Sequence, residues 1–346
     1  MTKDELPLYV YFKNDEIDPD ILQDIIEGMP GEYDDEDTEG ADFLNISCEV
    51  VRKNFILGWN EVSPLFEDKK INSIHVAIDI DGLTNGIAGY MTEESDEPAG
   101  KYVFLASITL LEFYLKEFWE QNYKLSHFKK SIWQHELIHL LDHKTDAEAR
   151  ILQRNPNPGA LALFYLLKFR SEGIAELYYS VRHNEEISDM SAARKVLSCE
   201  IDRMVNLPWH DNEGNETLQT ELQKTFAPYT SGPWMVMHVM SCPENPERSP
   251  QLPEMMERLN KGEKLETQEI IPLLRQTLKL DNYTFLKFLT LPGTDGLPFI
   301  NREELTSLVK ATGNIPYSKK ILAPVNEKHT EEILMIDFYN NFDLTN

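Results

Sequence analysis

Cysteine is scarce in this sequence, with three residues in 346, at Cys48, Cys199 and Cys242. None of them belongs to a Cys-x-x-Cys pair, and their number is odd. Such a set argues against a disulfide framework and against a zinc knot built from cysteine. The fold must therefore be stabilised by a packed core, which a chain of this length can bury.

Long apolar runs are also missing from the sequence. The first residues, Met-Thr-Lys-Asp-Glu-Leu-Pro, lack the apolar stretch of a signal peptide, and no window approaches the length of a membrane span. These absences predict a cytoplasmic protein that does not bind to membranes.

Basic residues are few beside acidic ones, with 33 Lys and Arg against 59 Asp and Glu, a formal net charge of -26. A surface this acidic repels phosphate backbones, so we expect no nucleic-acid partner. We interpret the densest acidic run, residues 32–39, as a solvated loop without a function. The remaining composition, 41% hydrophobic and 27% charged, is that of an ordinary soluble protein.

Segments typical of strands precede those typical of helices. Four short apolar or alternating segments have the pattern of strands: residues 8–12, 73–79, 86–91 and 101–106. From residue 107 onward the apolar spacing is helical, and the predicted helices cover residues 108–123, 126–143 with Ser126 as a possible cap, 160–182, 191–205, 215–225, 232–241, 267–278 and 301–311. Residues 46–59 also have apolar residues near helical spacing. This order favours an α+β fold over a doubly wound sheet. We expect a small N-terminal sheet, mixed or antiparallel, packed on a mainly helical half.

A polar segment broken by prolines, residues 243–250, is the best candidate for a domain boundary. We predict a first domain over residues 1–245, with a β-containing part over 1–106 and a helical part over 107–245. Residues 246–346 are predicted to form a C-terminal helical region, for which no motif indicates a role.

The central chemical signal is the pentapeptide His135-Glu136-Leu137-Ile138-His139. Histidines at positions i and i+4 lie on one face of a helix, so both imidazoles can reach one ion. Glu136 lies close to that face and can act on a metal-bound water. The flanking residues are apolar, which indicates a buried helix, where unpaired His and Glu side chains would be costly. The pentapeptide therefore predicts a zinc site.

The residues directly after the pentapeptide do not supply a third ligand. His143 lies about 12 Å along the helix axis from His135, too far to share one ion. Asp142 stands where the metzincin pattern requires a glycine, so that pattern is not met. We interpret Asp142 as a solvated residue at a helix end, and a role as a hydrogen-bond partner is the alternative.

A better candidate for the third ligand is the segment Glu-Gly-Ile-Ala-Glu that begins at Glu172. Glu172 and Glu176 share one face of the next long helix. The first could bind zinc, and the second could accept a hydrogen bond from a ligating histidine and so fix its tautomer. Gly173, in a helix interior where glycine costs stability, predicts that another backbone passes close by.

His-Glu-x-x-His followed by Glu-Gly-x-Ala-Glu resembles the gluzincin zinc metallopeptidases, the clan that contains thermolysin and aminopeptidase N. The resemblance covers residues 70–241. It implies a zincin-like fold and one catalytic zinc ion held by His135, His139 and Glu172. It also implies that Glu136 is the general base and that Glu176 supports a ligating histidine.

Two further segments are similar to gluzincin features. Tyr229-Thr230-Ser231-Gly232 resembles the Tyr-x-x-Gly helix start of aminopeptidase-N-like enzymes, which implies that the Tyr229 hydroxyl stabilises the oxyanion. His238 is the alternative for that role. Residues 86–91 resemble the edge strand that pairs with an extended substrate, although an ordinary strand fits equally well. The motif that binds a free N-terminus, Gly-x-Met-Glu-Asn, is absent, so endopeptidase and exopeptidase action both stay open.

The sequence therefore predicts hydrolysis of a peptide or protein substrate by a zinc-activated water, with Glu136 moving the proton from that water to the leaving amine. Two alternatives remain. One is a zincin-fold protein that binds metal but has a binding or regulatory role. The other is a metal-free helical interaction module. The sequence does not indicate the oligomeric state.

Overall fold

The protein is mixed α and β and mostly helical. The computed structural model describes residues 7–13, 39–67, 69, 71–79, 88–91, 101–120, 131–142, 158–183, 190–206, 227–246, 265–303 and 305, with scattered positions between 248 and 263. Two compact units are distinguished, Met1–Leu141 and Asp142–Asn346. The domain boundary expected after residue 245 stays a prediction.

The first unit contains a four-stranded sheet. Its strands, in the spatial order β1-β2-β4-β3, are β1 (Leu8–Phe12), β2 (Ser73–Asp79), β3 (Ala88–Met91) and β4 (Lys101–Ser107). β1 runs parallel to β2, with Leu8 opposite Ile74, and β2 runs parallel to β4, with Ser73 opposite Lys101. β3 alone runs antiparallel, along β4. The sheet is therefore mixed, which was one of the two expectations, and the antiparallel alternative is wrong.

The direction of the strands follows from the helix between them. Helix α1 (Glu39–Val62) connects β1 to β2, and a long helical crossover brings the second strand back parallel to the first. The apolar spacing in residues 46–59 correctly indicates this helix. A helix between two strands favours their parallel pairing, and the strand patterns alone do not indicate it.

The core of the first unit packs the sheet against α1 and against the start of the helix that carries His135. After β4 the chain forms α2 (Ile108–Glu120) and then α3, residues 133–142. The rings of Phe55 on α1, Phe104 on β4 and Trp133 on α3 are all buried, with centroids 5.4 to 6.1 Å apart. Buried rings in such tilted and edge-on contacts hold elements at fixed spacing. The start of α3 is therefore anchored to α1 and to the sheet.

The second unit is helical in the part that the structure describes. Its helices are α4 (Pro158–His183), α5 (Met190–Asn206), α6 (Ala227–Ser241), α7 (Thr267–Thr277) and α8 (Asn282–Leu289). The apolar spacing in the sequence predicts all of these but α8, with ends that differ by a few residues. A further helix expected near residues 215–225 lies outside the described residues. None of the described helices is long and apolar enough to cross a membrane.

Candidate metal centre

The first turn of α3 is fixed by helix α1. The Ser131 hydroxyl accepts a hydrogen bond from the Trp133 N–H at 3.3 Å and donates one to the Asn54 carbonyl at 2.8 Å. A Cβ at Gly58 would lie 2.8 Å from the Ser131 Oγ and 3.1 Å from the Gln134 nitrogen, so α1 touches α3 here. This contact fixes the distance between α1 and α3 at Gln134, one residue before His135. The Ser126 cap expected from the sequence lies outside the described residues.

The last described turn of α3 is held by two cations. The Lys69 Nζ donates to the Leu140 carbonyl oxygen at 2.6 Å. Asp142 accepts two hydrogen bonds from Arg170 of α4, at 2.7 and 2.8 Å, and both side chains are buried. The interpretation of Asp142 as a solvated helix end is therefore wrong, and its alternative role as a hydrogen-bond partner is correct.

His135 and His139 direct the same ring atom toward one point. Their Nε2 atoms are 3.0 Å apart, and the ring planes are inclined at 75°. Two nitrogens bound to one tetrahedral zinc at ordinary bond lengths would be about 3.3 Å apart. The spacing of the two histidines thus matches a shared metal ion within a few tenths of an ångström.

Glu172 supplies the third atom of the group. One carboxylate oxygen of Glu172 and one ring nitrogen each of His135 and His139 all lie within 4.8 Å of one another. Glu172 and His135 are buried, and His139 is half-buried. This group could hold a metal ion, and two imidazoles with one carboxylate are a donor set that zinc accepts. The ammonium of Lys168, one turn earlier on α4, lies 3.9 Å from the Glu172 carboxylate.

The two other glutamates of the motifs lie on the same two helices. Glu136 is buried on α3, and Glu176 is half-buried on α4, one turn beyond Glu172. Both positions suit the predicted roles of proton acceptor and supporting carboxylate. The roles themselves stay predictions.

Helices α4 and α6 touch through their backbones. A Cβ at Gly173 would lie 2.5 Å from the Gly232 carbonyl oxygen, and a Cβ at Gly232 would lie 2.5 Å from the Phe169 carbonyl oxygen. The close approach predicted from Gly173 is therefore confirmed. Tyr229 precedes Gly232 by three residues, a rise of about 4.5 Å. Tyr229, 37% exposed, is therefore carried near the part of α4 that bears Glu172.

His238, the alternative to Tyr229, is engaged elsewhere in the second unit. It is buried on α6, and its Nε2 lies 3.0 Å from the Leu291 carbonyl oxygen, to which it donates. Its ring packs edge-on against Phe299, with centroids 5.6 Å apart. Burial lowers the pKa of His238, although the hydrogen bond to Leu291 opposes this. These contacts show what His238 binds and packs against in the second unit, and the choice between Tyr229 and His238 as oxyanion donor stays a prediction.

The strand expected to pair with substrate lies at one end of the sheet order. Residues 88–91 form β3, the last strand in the order, whereas residues 86 and 87 lie outside the described residues. Substrate pairing along β3 stays a prediction.

Sequence reasoning missed four residues that position or charge the site: Lys69, Gly58, Lys168 and Arg170. Lys69 and Gly58 act through contacts with α3 that are distant in the chain, so no local pattern reveals them. Arg170 left a signal, because an arginine in the apolar part of α4 requires a buried acidic partner. Lys168 could have been found from its i, i+4 spacing to Glu172.

Comparisons with models of protein families, with curated proteins and with solved structures found no match. The resemblance to gluzincins therefore rests on the sequence motifs and on the group formed by His135, His139 and Glu172.

Proposed function

We propose that the protein is a zinc-dependent metallopeptidase with a zincin-like, gluzincin-type site. The observation that carries this proposal is the convergence of His135, His139 and Glu172 on one point. Three protein ligands leave the fourth position of a tetrahedral zinc open to water, as in catalytic sites, whereas structural zinc sites use four protein ligands.

The residues around this point have the chemistry that peptide hydrolysis needs. A zinc ion held there would supply a Lewis acid that activates a bound water and polarises a carbonyl. Glu136 accepts the proton of the attacking water and delivers it to the leaving amine nitrogen. Tyr229 donates a hydrogen bond to the oxyanion that develops from the scissile carbonyl. Glu176 accepts a hydrogen bond from a ligating imidazole and keeps its other nitrogen directed at the metal.

The position of Glu136 supports its assignment as the base rather than as a ligand. It follows His135 directly on α3 and is buried, yet the metal-binding group is completed by Glu172 of α4. A buried carboxylate placed beside the ligands can exchange a proton with the water. A metal site with only a binding role would not require it.

The Glu136→Gln variant tests the reaction separately from the metal. Glutamine has the same shape but cannot accept the proton, so we expect peptide cleavage to fall by at least about 10²-fold. Bound zinc should be unchanged. The assay is a screen of a mixed peptide library by mass spectrometry, with the zinc content of both proteins measured alongside.

A matched control is Glu112→Gln, on the exposed face of α2. This variant should cleave the library as the wild type does. Undiminished cleavage by Glu136→Gln would remove the assigned base. Zinc-loaded wild-type protein that cleaves no peptide would favour a metal-bound protein with a binding role.

A further inference from the structure

We propose that the buried ion pair between Asp142 and Arg170 is a positioning device that sets the metal affinity of this site. The inference rests on the proposed function, because it assumes that His135, His139 and Glu172 bind zinc.

The Arg170 guanidinium is fixed from two directions. Its Nη1 and Nη2 donate to the two oxygens of Asp142 at 2.8 and 2.7 Å, and its Nε donates to the Leu280 carbonyl oxygen at 2.6 Å. Both side chains of the ion pair are 1% exposed. A bidentate arginine–carboxylate pair fixes distance and orientation together, which a single charge contact does not.

The pair lies close in the chain to a ligand on each helix. Asp142 follows His139 on α3 by three residues, a rise of about 4.5 Å, and Arg170 precedes Glu172 on α4 by two residues, about 3 Å. Helices are stiff over one turn, so a change in the spacing of Asp142 and Arg170 changes the spacing of His139 and Glu172. The ion pair therefore acts on the metal through the ligands and does not touch it.

Stability alone does not account for this ion pair. Burying two charges has a large desolvation cost, and replacing such a pair by apolar residues is often neutral or stabilising. The pair supplies one defined distance and orientation between α3 and α4. A metal site needs such fixed positions, because its ligands must lie at set distances from the ion. We therefore expect that breaking the pair weakens metal binding by more than the accompanying loss in stability of the metal-free fold can explain.

The test measures zinc affinity and metal-free stability on the same variants of the full chain. Asp142→Asn and Arg170→Lys keep the size of the side chains but break the bidentate geometry. Zinc affinity is read by competition with a chromophoric chelator, and stability by urea unfolding in EDTA. Each variant should bind zinc roughly tenfold more weakly, or worse, while folded. The double variant should be no weaker than the weaker single one, since the two residues act as one unit.

Two controls separate positioning from general destabilisation. Asp295→Asn breaks another Arg–Asp pair of the second unit, with Arg194 of α5, and Leu197→Ala opens the core at α5. Both should lower metal-free stability and leave zinc affinity within about twofold of the wild type, because neither residue lies on α3 or α4.

The outcomes distinguish this inference from the function on which it rests. If the wild type binds zinc and the ion-pair variants bind it equally well, the positioning role is refuted and the metal site stands. The same holds if Leu197→Ala weakens zinc binding as much as Asp142→Asn does at similar stability. A wild type that binds no zinc removes both proposals.

Discussion

Replacing Gly173 by alanine tests the backbone contact that places α4 against α6. The new Cβ would lie 2.5 Å from the Gly232 carbonyl oxygen and 2.8 Å from its Cα. Carbon atoms in good contact are about 3.5–4.0 Å apart, so the helices must separate by roughly 1 Å. The obstructing atoms belong to the backbone, which cannot rotate away as a side chain can.

Two opposing effects set the size of the change. Alanine is the better helix former by about 0.5–1 kcal/mol, which favours the variant. Overpacking of a close contact costs about 1–3 kcal/mol and occasionally more, and rigid backbone atoms place this contact at the upper end. We therefore expect a net loss of about 2 kcal/mol in the free energy of unfolding.

The assay is urea unfolding of the metal-free protein, followed by circular dichroism. Gly58→Ala is the comparison, because its nearest obstruction is the Ser131 hydroxyl at 2.8 Å, the end of a short side chain. Gly58→Ala should be destabilised less than Gly173→Ala. A Gly173→Ala protein as stable as the wild type, or more stable, would show that helix propensity outweighs the contact and that α4 and α6 are not so close.

Two further predictions concern charge. Lys168→Met removes the ammonium beside Glu172 and should tighten zinc binding about twofold, because a partly exposed i, i+4 pair contributes only about 0.3–0.5 kcal/mol. Competition with a chelator measures the zinc affinity. The control Lys195→Met, on the exposed side of α5, should leave that affinity unchanged. Burial lowers the pKa of His238 from its ordinary value of 6.5, although the hydrogen bond to Leu291 opposes this. As the pH falls below 6.5, His238 is therefore protonated in the unfolded chain before it is protonated in the folded protein. The contribution of the neutral imidazole is therefore complete above about pH 6.5 and is lost as the pH falls. Urea unfolding between pH 8 and pH 5 should show that the free energy of unfolding falls more steeply with decreasing pH for the wild type than for His238→Gln. Equal pH dependence of the two proteins would contradict this prediction.

The residues of the candidate metal group could be found from sequence because their signals are local. His135 with His139, and Glu172 with Glu176, are each one helical turn apart, so periodicity alone places both members of a pair on one face. Gly173 was informative for a related reason. A glycine within a long helix has a cost that only a close neighbour explains, and that neighbour is Gly232.

The features that sequence reasoning missed depend on partners distant in the chain. The pattern of a strand does not state its direction, and the parallel pairing of β1 with β2 follows only from the crossover helix α1. The burial of Asp142 depends on Arg170, 28 residues away, and the hydrogen bond of His238 depends on Leu291, 53 residues away. A single sequence carries no direct record of such pairs.

The measurement that most directly tests the central claim is the zinc content of the purified 346-residue chain by elemental mass spectrometry. The protein is prepared without chelator, offered zinc and freed of excess metal. We expect about one zinc per chain in the wild type, and a large loss of bound zinc in His139→Ala and in Glu172→Ala. No zinc in the wild type, or full retention by both variants, would contradict a metal site built from His135, His139 and Glu172.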